Sequence, residues 1–142
     1  MSQSDAFGML LGETARSWRT RLDQRLRPLG LSQAKWLVLL HLNMVTDSLT
    51  QKQLSERLGI EAPSLVRLLD RMESDEWIVR RPSPSDRRAK TVHVTDKAAA
   101  IIREIKEIAA KLRKELLAGI PARELAVAGT VLQRIKDRAN TL

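Results

Sequence analysis

The 142-residue chain has no cysteine, no tyrosine and a single phenylalanine, and aromatic residues make up only 3% of it. Without cysteine, disulfides, thiolate metal sites and cysteine redox sensing are all excluded. With so few aromatics the core must be built from Leu, Ile, Val and Ala, which suits helix packing. No apolar run approaches the roughly 18 residues that a membrane span needs. The opening stretch MSQSDAFGMLLGETARSW has no basic region ahead of its short apolar run. It does not read as a secretory signal, so a cytoplasmic location is the expectation. No Gly-rich phosphate loop and no internal repeat is present. The two histidines, His41 and His93, have no ligand-like spacing, and the carboxylates show no pairing suited to acid–base work. No metal, no cofactor and no enzymatic activity are expected.

Acidic residues are outnumbered, 17 against 25 Lys and Arg, leaving a formal net charge of +8 and a pI of about 10.6. That balance favours a polyanionic partner, with nucleic acid first. The plain alternative is a basic protein kept soluble by its charge. Length and a 43% apolar share fit one domain, or a core module with helical extensions.

Helical spacing of Phe7, Leu10, Leu11, Ala15, Trp18, Leu22 and Leu26 predicts a helix over 5–28, closed by Pro28 and Gly30. Ser32 can cap a second helix over 33–44, whose centre Trp36-Leu37-Val38-Leu39-Leu40 demands burial on most sides. Thr46-Asp47-Ser48 reads as a loop. Thr50 and Gln53 have the capping-box spacing at the head of a helix over 51–58, stopped by Gly59. Pro63 opens a helix over about 62–75. Two short helices joined across Gly59-Ile60-Glu61 suggest a helix-turn-helix.

After it, 77–81 is β-prone, 82–89 is a Pro- and Ser-containing loop, and Lys90–Val94 alternates with period 2. Thr95 can cap a long helix over about 96–118, some 35 Å at ~1.5 Å per residue. Gly119 stops it, and Pro121 starts the last helix, about 121–140. The expected fold is mainly α with a small β-hairpin wing.

Within the helix 62–75, Leu65, Leu69 and Met72 share an inward face, while Ser64, Arg67 and Arg71 share the outward one. A helix entering a DNA major groove needs a short polar residue near its N-terminus, so that the backbone comes close. It also needs an Arg able to reach guanine O6 and N7 with both arms. Ser64 and Arg67 meet that need, although a solvated face with two arginines would look the same.

The hairpin adds weight. From Val79 to Lys97 there are six cationic residues (Arg80, Arg81, Arg87, Arg88, Lys90, Lys97) and two acidic ones (Asp86, Asp96), a local net of +4. A basic hairpin beside a helix-turn-helix is a wing, and an Arg at its tip can enter a minor groove. Asp86 is unexpected there. It orients a neighbouring guanidinium, accepts backbone N–H groups in the turn, or does both. The helices at the two chain ends are amphipathic, and a module of about 60 residues cannot cover them. Pairing with a second copy would.

The run 50-TQKQLSERLGIEAPSLVRLLDRMESDEWIVRRPSPSDRRAKTVHVTDKA-98 resembles the MarR family of winged-helix transcription regulators, through PSLVRLLDRME followed by the DRR-x-K-x-x-x-V-T wing pattern. The segments 18-WRTRLDQRLRPLGLSQAKW-36 and 60-IEAPSLVR-67 look like the SlyA branch. The resemblance implies one MarR-type domain over 1–142, with a DNA-binding lobe over 32–95 and dimerisation helices over 5–28 and 96–142. It implies a homodimer on a pseudo-palindromic double-stranded operator. Ser64, Arg67 and Arg71 match the recognition helix. Asp86, Arg87, Arg88 and Lys90 match the wing, with one Arg in the minor groove.

Many relatives bind a small aromatic carboxylate, and by position Arg16, Trp18, Trp36, Leu40 and His41 lie near that site. For His41, packing competes with ligand contact. The chain departs from the family where Glu76 and Ala98 replace frequent glycines. It departs again where Leu40 takes the place of a SlyA-type His, which here follows as His41. The competing readings are a winged-helix protein-interaction module and a sequence-indifferent architectural DNA protein.

Overall fold

The computed structural model describes residues 2–44 and 48–142. Of the predicted loop Thr46-Asp47-Ser48, the first two residues lie outside the described residues. The chain divides into two compact units, Met1–Ala110 and Lys111–Leu142.

The first unit begins with α1, Gln3–Leu26. It starts earlier than hydrophobic periodicity alone predicts, because Ser2 and Asp5 close a capping box that satisfies orphan N–H groups. A 3-10 turn, Arg27–Leu29, follows and ends at Gly30 with φ 74°. Helix α2, Gln33–Met44, is capped by the Ser32 hydroxyl, which accepts from the Lys35 N–H at 3.3 Å. Its apolar run is buried as expected at Trp36, Val38, Leu39 and Leu42.

Strand β1, Leu49–Thr50, leads directly into α3, Gln51–Leu58, where the Thr50/Gln53 capping box forms in full. Gly59, in the left-handed region at φ 66°, ends α3. Helix α4, Ala62–Ser74, carries Pro63 in its first turn and buries Leu65, Leu68, Leu69 and Met72. The hairpin consists of β2, Ile78–Pro82, and β3, Lys90–Val94, paired antiparallel with Arg80 opposite Val92.

Sequence reasoning missed β1. It pairs antiparallel with β3, Leu49 opposite Val92, so the sheet has three strands in the order β1-β3-β2. Helix α5, Asp96–Leu116, buries Ala98, Ile102 and Ile105 within the first unit. The Thr95 hydroxyl caps it by accepting from the Ala98 N–H at 3.3 Å.

The second unit holds the end of α5, Gly119 at φ 80°, and α6, Ala122–Thr141. No residue of α6 is buried, and Val127, Val131, Leu132 and Ile135 are exposed. At the other end of the chain, Phe7, Leu10 and Leu11 of α1 are exposed as well. No helix among the described residues is long and apolar enough to cross a membrane.

Candidate nucleic-acid interface

Helix α4 sorts its residues by period. With Leu65, Leu68, Leu69 and Met72 in the core, Ser64, Arg67 and Arg71 are left exposed on the other side. Ser64 and Arg67, one turn apart, meet: the Arg67 Nη2 donates to the Ser64 hydroxyl at 3.3 Å. That contact steadies the guanidinium while leaving most of its donors facing outward.

The wing tip is a tight turn. Ser83 N–H donates to the Ala89 carbonyl at 2.8 Å, and Ala89 N–H donates to the Asp86 carbonyl at 3.1 Å. The Asp86 carboxylate accepts the Arg88 backbone N–H at 3.0 Å. Of the two roles open to Asp86, the structure therefore has the turn-holding one. Among the described residues its carboxylate forms no ion pair with Arg87 or Arg88. Both arginines, and Lys90, are exposed.

Helix α4, the wing and α3 border one cavity of about 390 Å³. Its lining includes Lys52 and Glu56 of α3, Ala62 and Val66 of α4, and Arg88 and Lys90 of the wing. Of the predicted site residues, Arg88 and Lys90 line it, while Ser64, Arg67, Arg71, Asp86 and Arg87 do not. Lys52 lines the same cavity, although no motif pointed to it.

Arg80 behaves differently from its neighbours. It was counted among the wing cations, yet its side chain is only 17% exposed and is held by Glu73 and Asp70 of α4. The hydrogen bond from the Arg80 guanidinium, more than its backbone N–H and its charge, holds the Glu73 carboxyl below the ordinary glutamate range. Burial acts most strongly on Arg80 and lowers its pKa, but the hydrogen bonds and charges of Glu73 and Asp70 together outweigh it and leave the pKa raised. Sequence reasoning missed this cluster because Glu73 and Arg80 lie seven positions apart on different elements, at no recognisable spacing.

The residues matched to a ligand site are placed unevenly. Trp36 is 1% exposed, and its indole N–H donates to the Asp23 carboxylate at 3.0 Å, so it packs as a core residue joining α2 to α1. His41 uses Nδ1 to donate to the Leu37 carbonyl at 2.9 Å, one turn back along α2. Trp18 and Leu40 are half-buried and Arg16 is exposed. None of the five lines the cavity beside the wing.

Fold and surface together define a winged helix-turn-helix protein of the DNA-binding, transcription-regulating class. The sequence model of the MarR family matches residues 29–89. The crystal structure of transcriptional regulator PA3341 is 47% identical, covering 96% of this chain and 99% of that one, with a TM-score of 0.90. A mutant MarR from E. coli complexed with operator DNA is 28% identical over 90% of this chain and 91% of that one, at a TM-score of 0.74. AbsC, a MarR family transcriptional regulator from Streptomyces coelicolor, shares the fold at 17% identity and a TM-score of 0.83, covering 100% of this chain and 98% of that one. The chain belongs to the MarR family. Its members are transcription regulators and not enzymes.

Proposed function

We propose that the protein is a homodimeric, sequence-specific reader of double-stranded DNA. Helix α4 lies in the major groove with Ser64, Arg67 and Arg71 towards the bases and backbone. The wing, through Asp86, Arg87, Arg88 and Lys90, puts an arginine into the adjacent minor groove. One observation carries this reading: Arg88 and Lys90 of the wing border one cavity with Ala62 and Val66 of α4, the helix whose exposed side carries the paired Ser64 and Arg67. The operator complex of the E. coli relative supports it.

The helices over 5–28 and 96–142 form the dimer. The exposed apolar side chains Phe7, Leu10 and Leu11 of α1 and Val131, Leu132 and Ile135 of α6 favour that role. Two copies would present two recognition helices to half-sites about one helical turn apart. A small aromatic carboxylate near Arg16, Trp18, Trp36, Leu40 and His41 tunes the response, and the lobe over 32–95 carries the DNA contact. The regulator acts in the cytoplasm.

The test is a DNA-selection binding assay on purified protein at two salt concentrations with unlabelled competitor. Enrichment of a pseudo-palindrome with half-sites about one turn apart is the expected result. Salt-sensitive binding without an enriched motif would replace the reader with an architectural DNA protein. No binding in either salt would move the function to a protein partner.

A further inference from the structure

By charge alone, Arg80 is indistinguishable from Arg81, Arg87 and Arg88, its neighbours on the wing. Its surroundings separate it from them. Nε donates to Glu73 Oε1 at 3.0 Å and Nη2 donates to the same oxygen at 2.8 Å. Nη2 also donates to Asp70 Oδ1 at 2.6 Å, and Nη1 donates to Gln51 Oε1 at 3.2 Å. The Arg80 backbone N–H donates to the second Glu73 oxygen at 3.0 Å. Both Glu73 oxygens are therefore committed to one residue, by side chain and by main chain.

The partners come from three elements. Gln51 is the first residue of α3, Asp70 and Glu73 are on α4, and Arg80 is on β2. On α4, Asp70 and Glu73 lie to one side of the stripe formed by Ser64, Arg67 and Arg71. A guanidinium offers five N–H donors in a rigid plane, and four contacts here are spent inside the protein. Two carboxylates offset its charge, so little is left to attract a phosphate.

We propose that Arg80 is a positioning residue for DNA recognition, setting the angle of the wing against the recognition helix without touching DNA. The proposal rests on the DNA-reading function above. Base edges and minor groove are read at once only if helix and wing are held at a fixed separation, and this cluster supplies a planar, multi-point joint between them. A lysine could not replace it, because a point charge on a flexible stem lacks the fork.

Arg80→Gln, Arg80→Lys, Glu73→Gln and the Arg80→Gln/Glu73→Gln double variant decide it. Each is titrated with the wild type's selected site and with an unrelated duplex across a salt series. Positioning predicts that Arg80→Gln and Glu73→Gln each lower specific affinity roughly 5- to 150-fold, the discrimination carried by one bidentate base contact. The double variant loses little more than either single one, because the two act through one joint. Affinity for the unrelated duplex and the salt slope stay unchanged, and Arg80→Lys does not restore specific binding.

Direct phosphate contact predicts the opposite pattern and would overturn the proposal. Arg80→Gln would weaken both duplexes and reduce the salt slope by about 0.9. Arg80→Lys would retain binding, and Glu73→Gln would tighten it by freeing the cation. If Arg80→Gln does not fold, Glu73→Gln alone carries the test, because Asp70 still pairs with the guanidinium. In that variant the β2 amides should exchange with solvent faster while those of α5 do not. Unchanged exchange together with unchanged specific affinity sinks the joint. A wild type with no preferred site overturns the reader itself, and that is seen before any variant is made.

Discussion

The Thr95 hydroxyl donates to the Glu76 carbonyl at 2.6 Å, tying the start of α5 to the chain just beyond α4. Glu76 meets it from the left-handed region, at φ 64°, the one non-glycine residue with positive φ among the described residues. A residue with a Cβ pays about 1–2 kcal/mol to sit there, and this is the position where the family often carries glycine. The frame around it is firm. The Trp77 N–H donates to the Met72 carbonyl at 2.9 Å, and the Thr95 N–H donates to the Trp77 carbonyl at 3.1 Å.

Glu76→Gly should therefore stabilise the protein. Relief of the left-handed strain exceeds the added freedom of glycine in the unfolded chain by about 0.5–1 kcal/mol. The exposed approach of Lys97 to Glu76, at 4.0 Å, contributes little against this. Urea unfolding should show a raised midpoint with an unchanged slope. A lowered midpoint would mean that the Glu76 side chain contributes more than its backbone costs.

Arg67→Ala should cost about 1–3 kcal/mol of specific DNA affinity and relax base preference at one position in each half-site. Affinity and preference that stay as in the wild type would remove Arg67 from base reading. Ser64→Ala provides the companion measurement. It takes away the hydroxyl that steadies the guanidinium, so its effect should fall at the same base position and be smaller.

Asp86→Ala should weaken DNA binding even though it makes the protein more positive, because the carboxylate holds the turn that displays Arg88. Asp86→Asn keeps an oxygen able to accept the Arg88 N–H and removes the charge. It should bind at least as tightly as the wild type. Tighter binding by Asp86→Ala would reduce the residue to a source of repulsion. Binding assays on the three proteins at one salt concentration suffice.

Acid should act through Glu73. Its carboxyl titrates below the ordinary range in the folded chain, chiefly because it accepts from the Arg80 guanidinium. The unfolded chain therefore takes up the proton first. The stabilisation is fully present above the ordinary glutamate value and is lost as pH falls through the folded one. Wild-type stability should drop on acidification below about pH 4, and the drop should be smaller in Glu73→Gln. Equal slopes in the two proteins would show that the pair does not contribute.

What the sequence made legible is local. Thr50 with Gln53, Gly59 and Pro63 each act within one turn of helix, so their signals survive in a single chain, and α3 and α4 fell where these residues placed them. The outward stripe Ser64, Arg67, Arg71 was legible for the same reason, since helical period alone sets it. Strand β1 was not. Two residues show no alternation, and its partners Thr91 and Val92 lie some forty positions away. The bond from the Trp36 indole N–H to Asp23 was not legible either, being a pairing between helices that spacing does not reveal. Arg80 misled most, because composition counts a cation without showing whether its charge is already answered.

The sheet also constrains how another strand could join it. β3 lies in the middle, so among the described residues the open edges are those of β1 and β2. β1 is two residues long. β2 runs through Arg80 and Arg81 and ends on Pro82, which has no N–H to offer. An incoming strand would find a short edge on one side and a charged, proline-capped edge on the other. This sheet is thus a poor template for strand-to-strand growth, which disfavours association through its edges.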